Sequence, residues 1–98
     1  MQTTYYVGDF SKTFAAILKA RLDDADITQA QLAEALGRTR TYVGKRLRGE
    51  AALSVDIVDM AGQLLHASSP RQFVKDLIDE MGRYPEVWET REGGLPEF

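Results

Sequence analysis

Apolar residues recur along this chain at helical rather than strand spacing. Phe10, Phe14, Ile17, Leu18, Leu22 and Ala25 fall three or four apart and predict a first helix from Ser11 to about Asp24, with Lys12, Lys19 and Arg21 facing water. Thr28 opens a second helix with a capping box, its hydroxyl placed for the Gln31 N–H while the Gln31 side chain reaches back. Ile27 and Leu32 hold the positions of a hydrophobic staple; Leu32, Ala33 and Leu36 turn inward, and Gly37 ends the helix at positive φ. A helix of about eight residues does not hold alone in water, so this one must lean on neighbours. Thr39 caps a third helix from about Arg40 to Leu47, closed by Gly49. Val43 and Leu47 point inward, and Thr41, Gly44, Lys45 and Arg48 share the opposite stripe. Ser54 starts a fourth helix with Ile57, Val58, Ala61, Leu64 and Leu65 toward the core. Ser69–Pro70–Arg71–Gln72 reads as a second capping box with proline at the first helical position. It opens a fifth helix whose Phe73, Val74, Leu77, Ile78 and Met81 make an apolar face ending near Gly82.

The expected fold is therefore all-α, one compact five-helix domain over residues 11–83, with the paired short helices at 28–49. Residues 1–10 form a short N-terminal arm. Residues 84–98 hold Trp88 but also Gly93–Gly94, Pro96 and four acids, and read as an irregular acidic tail. No internal repeat or low-complexity tract is present. Composition narrows the classes. At 98 residues the chain makes one domain, and 44% hydrophobic with 28% charged residues is an ordinary globular mixture. With no cysteine, disulfide scaffolds, thiol catalysis and Cys-ligated zinc are excluded. The apolar runs fall far short of the roughly 20 residues of a membrane helix, and the start lacks the pattern of a secretory signal. No membrane association is expected, and the expected location is the cytoplasm.

Charge changes the picture. The net charge is -3, yet residues 1–50 carry eight Lys/Arg against six Asp/Glu, while residues 51–98 carry four against nine. Arg38, Arg40, Lys45, Arg46 and Arg48 fall within eleven residues that hold no acid. Such a cluster aims one face at a polyanion, although a solvated basic helix without a partner has the same composition. Two short helices joined through a glycine turn make a helix-turn-helix, in which Leu32, Leu36, Val43 and Leu47 lock the pair. The second helix can then enter a major groove about 12 Å wide.

The run Thr28-Gln29-Ala30-Gln31-Leu32-Ala33-Glu34-Ala35-Leu36-Gly37-Arg38-Thr39-Arg40-Thr41-Tyr42-Val43-Gly44-Lys45-Arg46-Leu47-Arg48-Gly49 resembles the Cro/C1-type helix-turn-helix. This is the lambda-repressor-like, xenobiotic-response-element-type group of bacterial and phage transcription regulators. The likeness continues through Leu53-Ser54-Val55 and Met60-Ala61 to Leu64-Leu65, and covers residues 11–66. Arg38 departs from it, standing where the family usually places an apolar residue. The resemblance implies a lambda-repressor-like fold and a set of roles. Gln29, with the helix N-terminus, would bind a phosphate. Arg40 would read guanine, Thr41 would touch a thymine methyl or a phosphate, and Lys45 would reach a third base edge. Arg38, Arg46 and Arg48 would neutralise phosphates, and Tyr42 would either bond a phosphate or cover the core. Glycine in a helix interior costs about 1 kcal/mol relative to alanine, so Gly44 implies a close approach by the DNA backbone or a neighbouring helix, or a simple packing accommodation.

Little favours an enzyme. His66 is the only histidine, which rules out a two-His metal site, and it suits a cation at a helix C-terminus. Asp56/Asp59 and Asp76/Asp79/Glu80 read as solvated faces, and no phosphate loop or nucleophile elbow is present. No cofactor or metal is expected, and the length leaves no room for a separate sensing domain. The expected partner is double-stranded DNA with a two-fold-symmetric operator, bound by a homodimer because one module grips only a half-site. The fifth helix, through Phe73, Leu77, Ile78 and Met81, would divide its apolar surface between its own core and a twin, with Tyr84 and Trp88 extending the contact. A repressor of phage or mobile-element type fits these expectations. An antitoxin or adaptor that grips another protein through residues 70–98 is the rival.

Overall fold

Residues 6–83 are described by a computed structural model. They form five helices: α1 (Asp9–Asp24), α2 (Gln29–Leu36), α3 (Arg40–Leu47), α4 (Val55–Leu64) and α5 (Pro70–Met81), with no strand among the described residues. The tail at 84–98, with Tyr84 and Trp88, lies outside them, as do residues 1–5 of the arm. α1 is the floor: α3, α4 and α5 all pack on it, and α2 packs on α3 and α4. Phe14, Ile17, Leu18 and Leu22 of α1 meet Leu32, Val43, Leu47, Ile57, Phe73 and Leu77 in one buried cluster, and no polar or charged residue is buried among the described residues.

Four successive helices stop by the same device. Asp26, Gly37, Gly49 and His66 each stand just past a helix in the left-handed region, at φ 60°, 69°, 78° and 57°. In each case the next N–H turns back to a carbonyl five residues earlier: Ile27 to Leu22, Arg38 to Ala33, Glu50 to Lys45 and Ala67 to Gly62, all within 2.9–3.0 Å. Glycine is unstrained there; aspartate and histidine tolerate it at some cost. His66 therefore serves the backbone path as a turn residue at the end of α4.

The structure revises several expectations. α1 begins at Asp9, two residues early, because extended Gly8 already offers its carbonyl to the Lys12 N–H. Phe10 is 44% exposed and Ala25 is exposed, so the buried stripe of α1 is shorter than its apolar spacing. Arg21 does not simply face water: its Nη2 donates to Glu80 Oε1 at 2.9 Å and ties α1 to α5 across 59 positions. Only half of the second capping box forms. Ser69 Oγ accepts from the Gln72 N–H, but the Gln72 side chain donates forward to Asp76 at 2.7 Å. Phe73, Leu77 and Met81 are buried in the chain's own core, which leaves only Ile78 and part of Val74 of that face outward.

A Cβ at Gly37 would touch nothing, so any cost there is backbone strain alone. Gly37→Ala is expected to lose about 1–2 kcal/mol, while His66→Gly gains about 0.5–1 kcal/mol after the added freedom of the unfolded chain. Urea unfolding of the two variants against wild type checks both signs.

Candidate nucleic-acid interface

The caps decide which residues stand at the two exposed helix starts. Thr28 and Gln31 complete a reciprocal capping box, with the Thr28 N–H donating to Gln31 Oε1 at 2.8 Å and the Gln31 N–H to Thr28 Oγ1 at 3.1 Å. Gln29 is thereby the first residue of α2. Thr39 Oγ1 accepts from the Tyr42 N–H at 3.0 Å, which puts Arg40 and Thr41 in the first turn of α3. Below them Leu32, Val43 and Leu47 are buried. Arg40, Thr41 and Lys45 are all exposed, and among the described residues none of their side chains is held in a hydrogen bond or ion pair.

The remaining expected contacts fall into two groups. Gln29 and Arg48, from the start of α2 and just past the end of α3, come together over Gly44. That glycine is buried, and a Cβ on it would lie 3.1 Å from Gln29 Oε1 and 2.8 Å from Arg48 Nη1. The close approach implied by Gly44 is thus made by these two side chains. Arg38 and Arg46 instead gather on Tyr42, their guanidinium carbons 4.6 and 3.7 Å from the ring centroid. Arg46 Nη1 also donates to the Tyr42 carbonyl at 3.3 Å. Tyr42 is half-buried, lining a hollow with Leu36 and Ile57, so it covers core as well as carrying cations. Arg38 stays exposed and stacks outside the turn, leaving the inner packing to Leu36.

Sequence reasoning passed over Glu50, because the charge window closed at Arg48. The turn after α3 folds Glu50 back, its N–H on the Lys45 carbonyl, and its carboxylate accepts from Arg48 Nε at 2.6 Å. The hydrogen bond from Arg48, then the charges of Arg48 and Lys45, hold the Glu50 carboxyl below the usual carboxylate range. The pair is therefore intact at neutral pH and opens as pH falls through that lowered value. An acid just past the fifth base was the available signal. The surface is a cationic face with a counter-charge built in at Glu50, and Asp56 and Asp59 border the same hollow as Arg38 and Tyr42.

Among the described residues no group of three or more His, Cys, Asp or Glu could hold a metal ion, and no helix is long and apolar enough to cross a membrane. The model of a family described as helix-turn-helix matches residues 17–65, half of the chain, spanning most of α1 through α4. No curated protein and no solved structure matches the chain.

The groups crowding Gly44 are both free ends of flexible side chains. Gly44→Ala is therefore expected to keep the fold and gain up to about 1 kcal/mol from helix propensity, read as a higher denaturant midpoint. A loss of stability would mean that Gln29 and Arg48 cannot give way.

Proposed function

This chain belongs to the Cro/C1-type helix-turn-helix family of DNA-binding regulators, and on that footing we propose that it is a sequence-specific repressor of phage or mobile-element type. It binds double-stranded DNA as a homodimer on a two-fold-symmetric operator. The observation that carries the reading is the unengaged trio of Arg40, Thr41 and Lys45 on the exposed side of α3, flanked by Gln29 and Arg48 over Gly44. Side chains without protein partners are the ones a base edge can recruit without breaking an existing bond. Arg40 offers the two-pronged donor that guanine O6 and N7 accept, Thr41 a methyl and a hydroxyl, and Lys45 a mobile cation one turn on.

The second rank positions. Gln29 stands at the start of α2, where backbone N–H groups point outward at a phosphate. Arg48 must exchange Glu50 for a phosphate. Both members are about half exposed, so the exchange costs little. Arg38, Arg46 and Tyr42 act as one stacked unit whose cations neutralise the flanking backbone.

Selection from a random DNA pool should return a two-fold-symmetric consensus. On that site Arg40→Ala is expected to cost about 1–3 kcal/mol and to relax preference at one base pair. Arg48→Ala should weaken all sequences alike and lower the salt slope by about one. Fluorescence anisotropy across a salt series reads both, and wild-type binding by both variants would move the recognition surface elsewhere. Glu50→Gln should tighten binding to random-sequence DNA, because it removes the carboxylate that competes with phosphate for Arg48.

A further inference from the structure

A shallow apolar hollow of about 380 Å³ opens where the start of α1, the start of α4 and the outer side of α5 meet, lined by Phe10, Phe14, Leu53, Val55, Val58 and Val74. It runs into a second hollow between α4 and α5 that shares Val55, Val58 and Val74 and adds Phe73 and Pro70. Val55 is 82% exposed and Ile78 is 48% exposed, and neither is needed by the buried core. A contiguous apolar strip of this kind on a small domain marks an interaction site.

Charge selects the occupant. Val55, Val58, Asp59 and Gly62 share one stripe of α4, and Asp56 joins Asp59 on that wall. On α5 the stripe is Arg71, Val74, Lys75 and Ile78. Among the described residues neither Asp56 nor Asp59 has a cationic partner, Asp59 accepting only from Gln63, and Arg71 has no acidic one. Lys75 holds Asp79 loosely at 3.4 Å. The strip thus has an acidic edge on one side and a basic edge on the other. A partner of one charge sign would suit one edge only. A second copy turned about a two-fold axis that runs along the strip suits both, because that rotation sets each edge against its opposite.

We propose that two copies of this chain pair through the Phe10–Val55–Val74 strip, with Asp56 and Asp59 of each facing Arg71 and Lys75 of the other. The inference rests on the operator reading for its purpose, since two half-sites need two copies, but its test needs no DNA. None of Arg40, Thr41 or Lys45 lines either hollow, so the reading face stays open when the pair forms.

Sedimentation equilibrium of the full chain over a concentration series should show a reversible dimer. Val55→Arg should leave monomers with unchanged circular dichroism and, compared with wild type below the dimer Kd where association adds no stability, an unchanged unfolding midpoint, because Val55 takes no part in the core. Asp59→Arg and Arg71→Asp should each raise the dimer Kd by about tenfold or more, and the two together should restore it. A wild-type monomer at every concentration overturns the proposal, as does a Val55→Arg dimer or a double variant that fails to recover. A monomeric Val55→Arg less stable than wild type below the dimer Kd would overturn it in favour of the chain's own residues 84–98 covering the strip. Lys45→Ala should dimerise normally. A dimer that selects no DNA consensus would sink the operator reading and leave the interface standing.

Discussion

Two helices of eight residues each cannot persist on their own, so the surface they carry exists only because Leu32, Val43 and Leu47 are buried in the core they share with α1 and α4. α3 is a poor helix by composition, with threonine, tyrosine, valine and glycine among its eight residues. Burial of one side and the Thr39 cap hold it in shape. The direction in which Arg40, Thr41 and Lys45 point is therefore set by apolar contacts beneath them and by no polar bond of their own. Tight anchoring below leaves three unengaged side chains above.

The surface divides its cations by how firmly each is committed. The trio is unengaged, Arg48 is lent to Glu50, and Arg46 is stacked and bonded on Tyr42. A group held on the protein loses less freedom when a phosphate arrives, and gives a steadier but less discriminating contact. On the proposed reading, base recognition and phosphate binding would fall to different residues of α3 and the turn that follows it.

Much of this was legible along the chain. The helical spacing gave five helices, and Thr28, Thr39, Ser54 and Ser69 each cap where they stand. These signals are local, and local physics is what a single sequence displays. What escaped was contact chemistry between distant or competing groups. Arg21 finds Glu80 only once α1 and α5 lie side by side, and Gln72 had the Ser69 N–H to accept from or Asp76 to donate to, and took Asp76. Phe10 has the spacing of a buried residue, but the helix outruns the core that would cover it. For the candidate surface, exposure of the trio followed from helix geometry. The grouping of Gln29 with Arg48, of Arg38 and Arg46 on Tyr42, and the return of Glu50 depended on side-chain placement that periodicity does not carry.

The repeated left-handed turns have a kinetic consequence. They join α1 through α4 by short connections, so α3 and α4 return onto α1 and α2 across loops of modest closure cost. The longest return is that of α5, which brings Glu80 to Arg21 across 59 positions. The segment that matches the family, residues 17–65, stops short of this last layer. In synthesis α5 is the last of the five helices to emerge, so the side of the core covered by Phe73, Leu77 and Met81 is completed last, by a helix that carries none of the candidate contact residues.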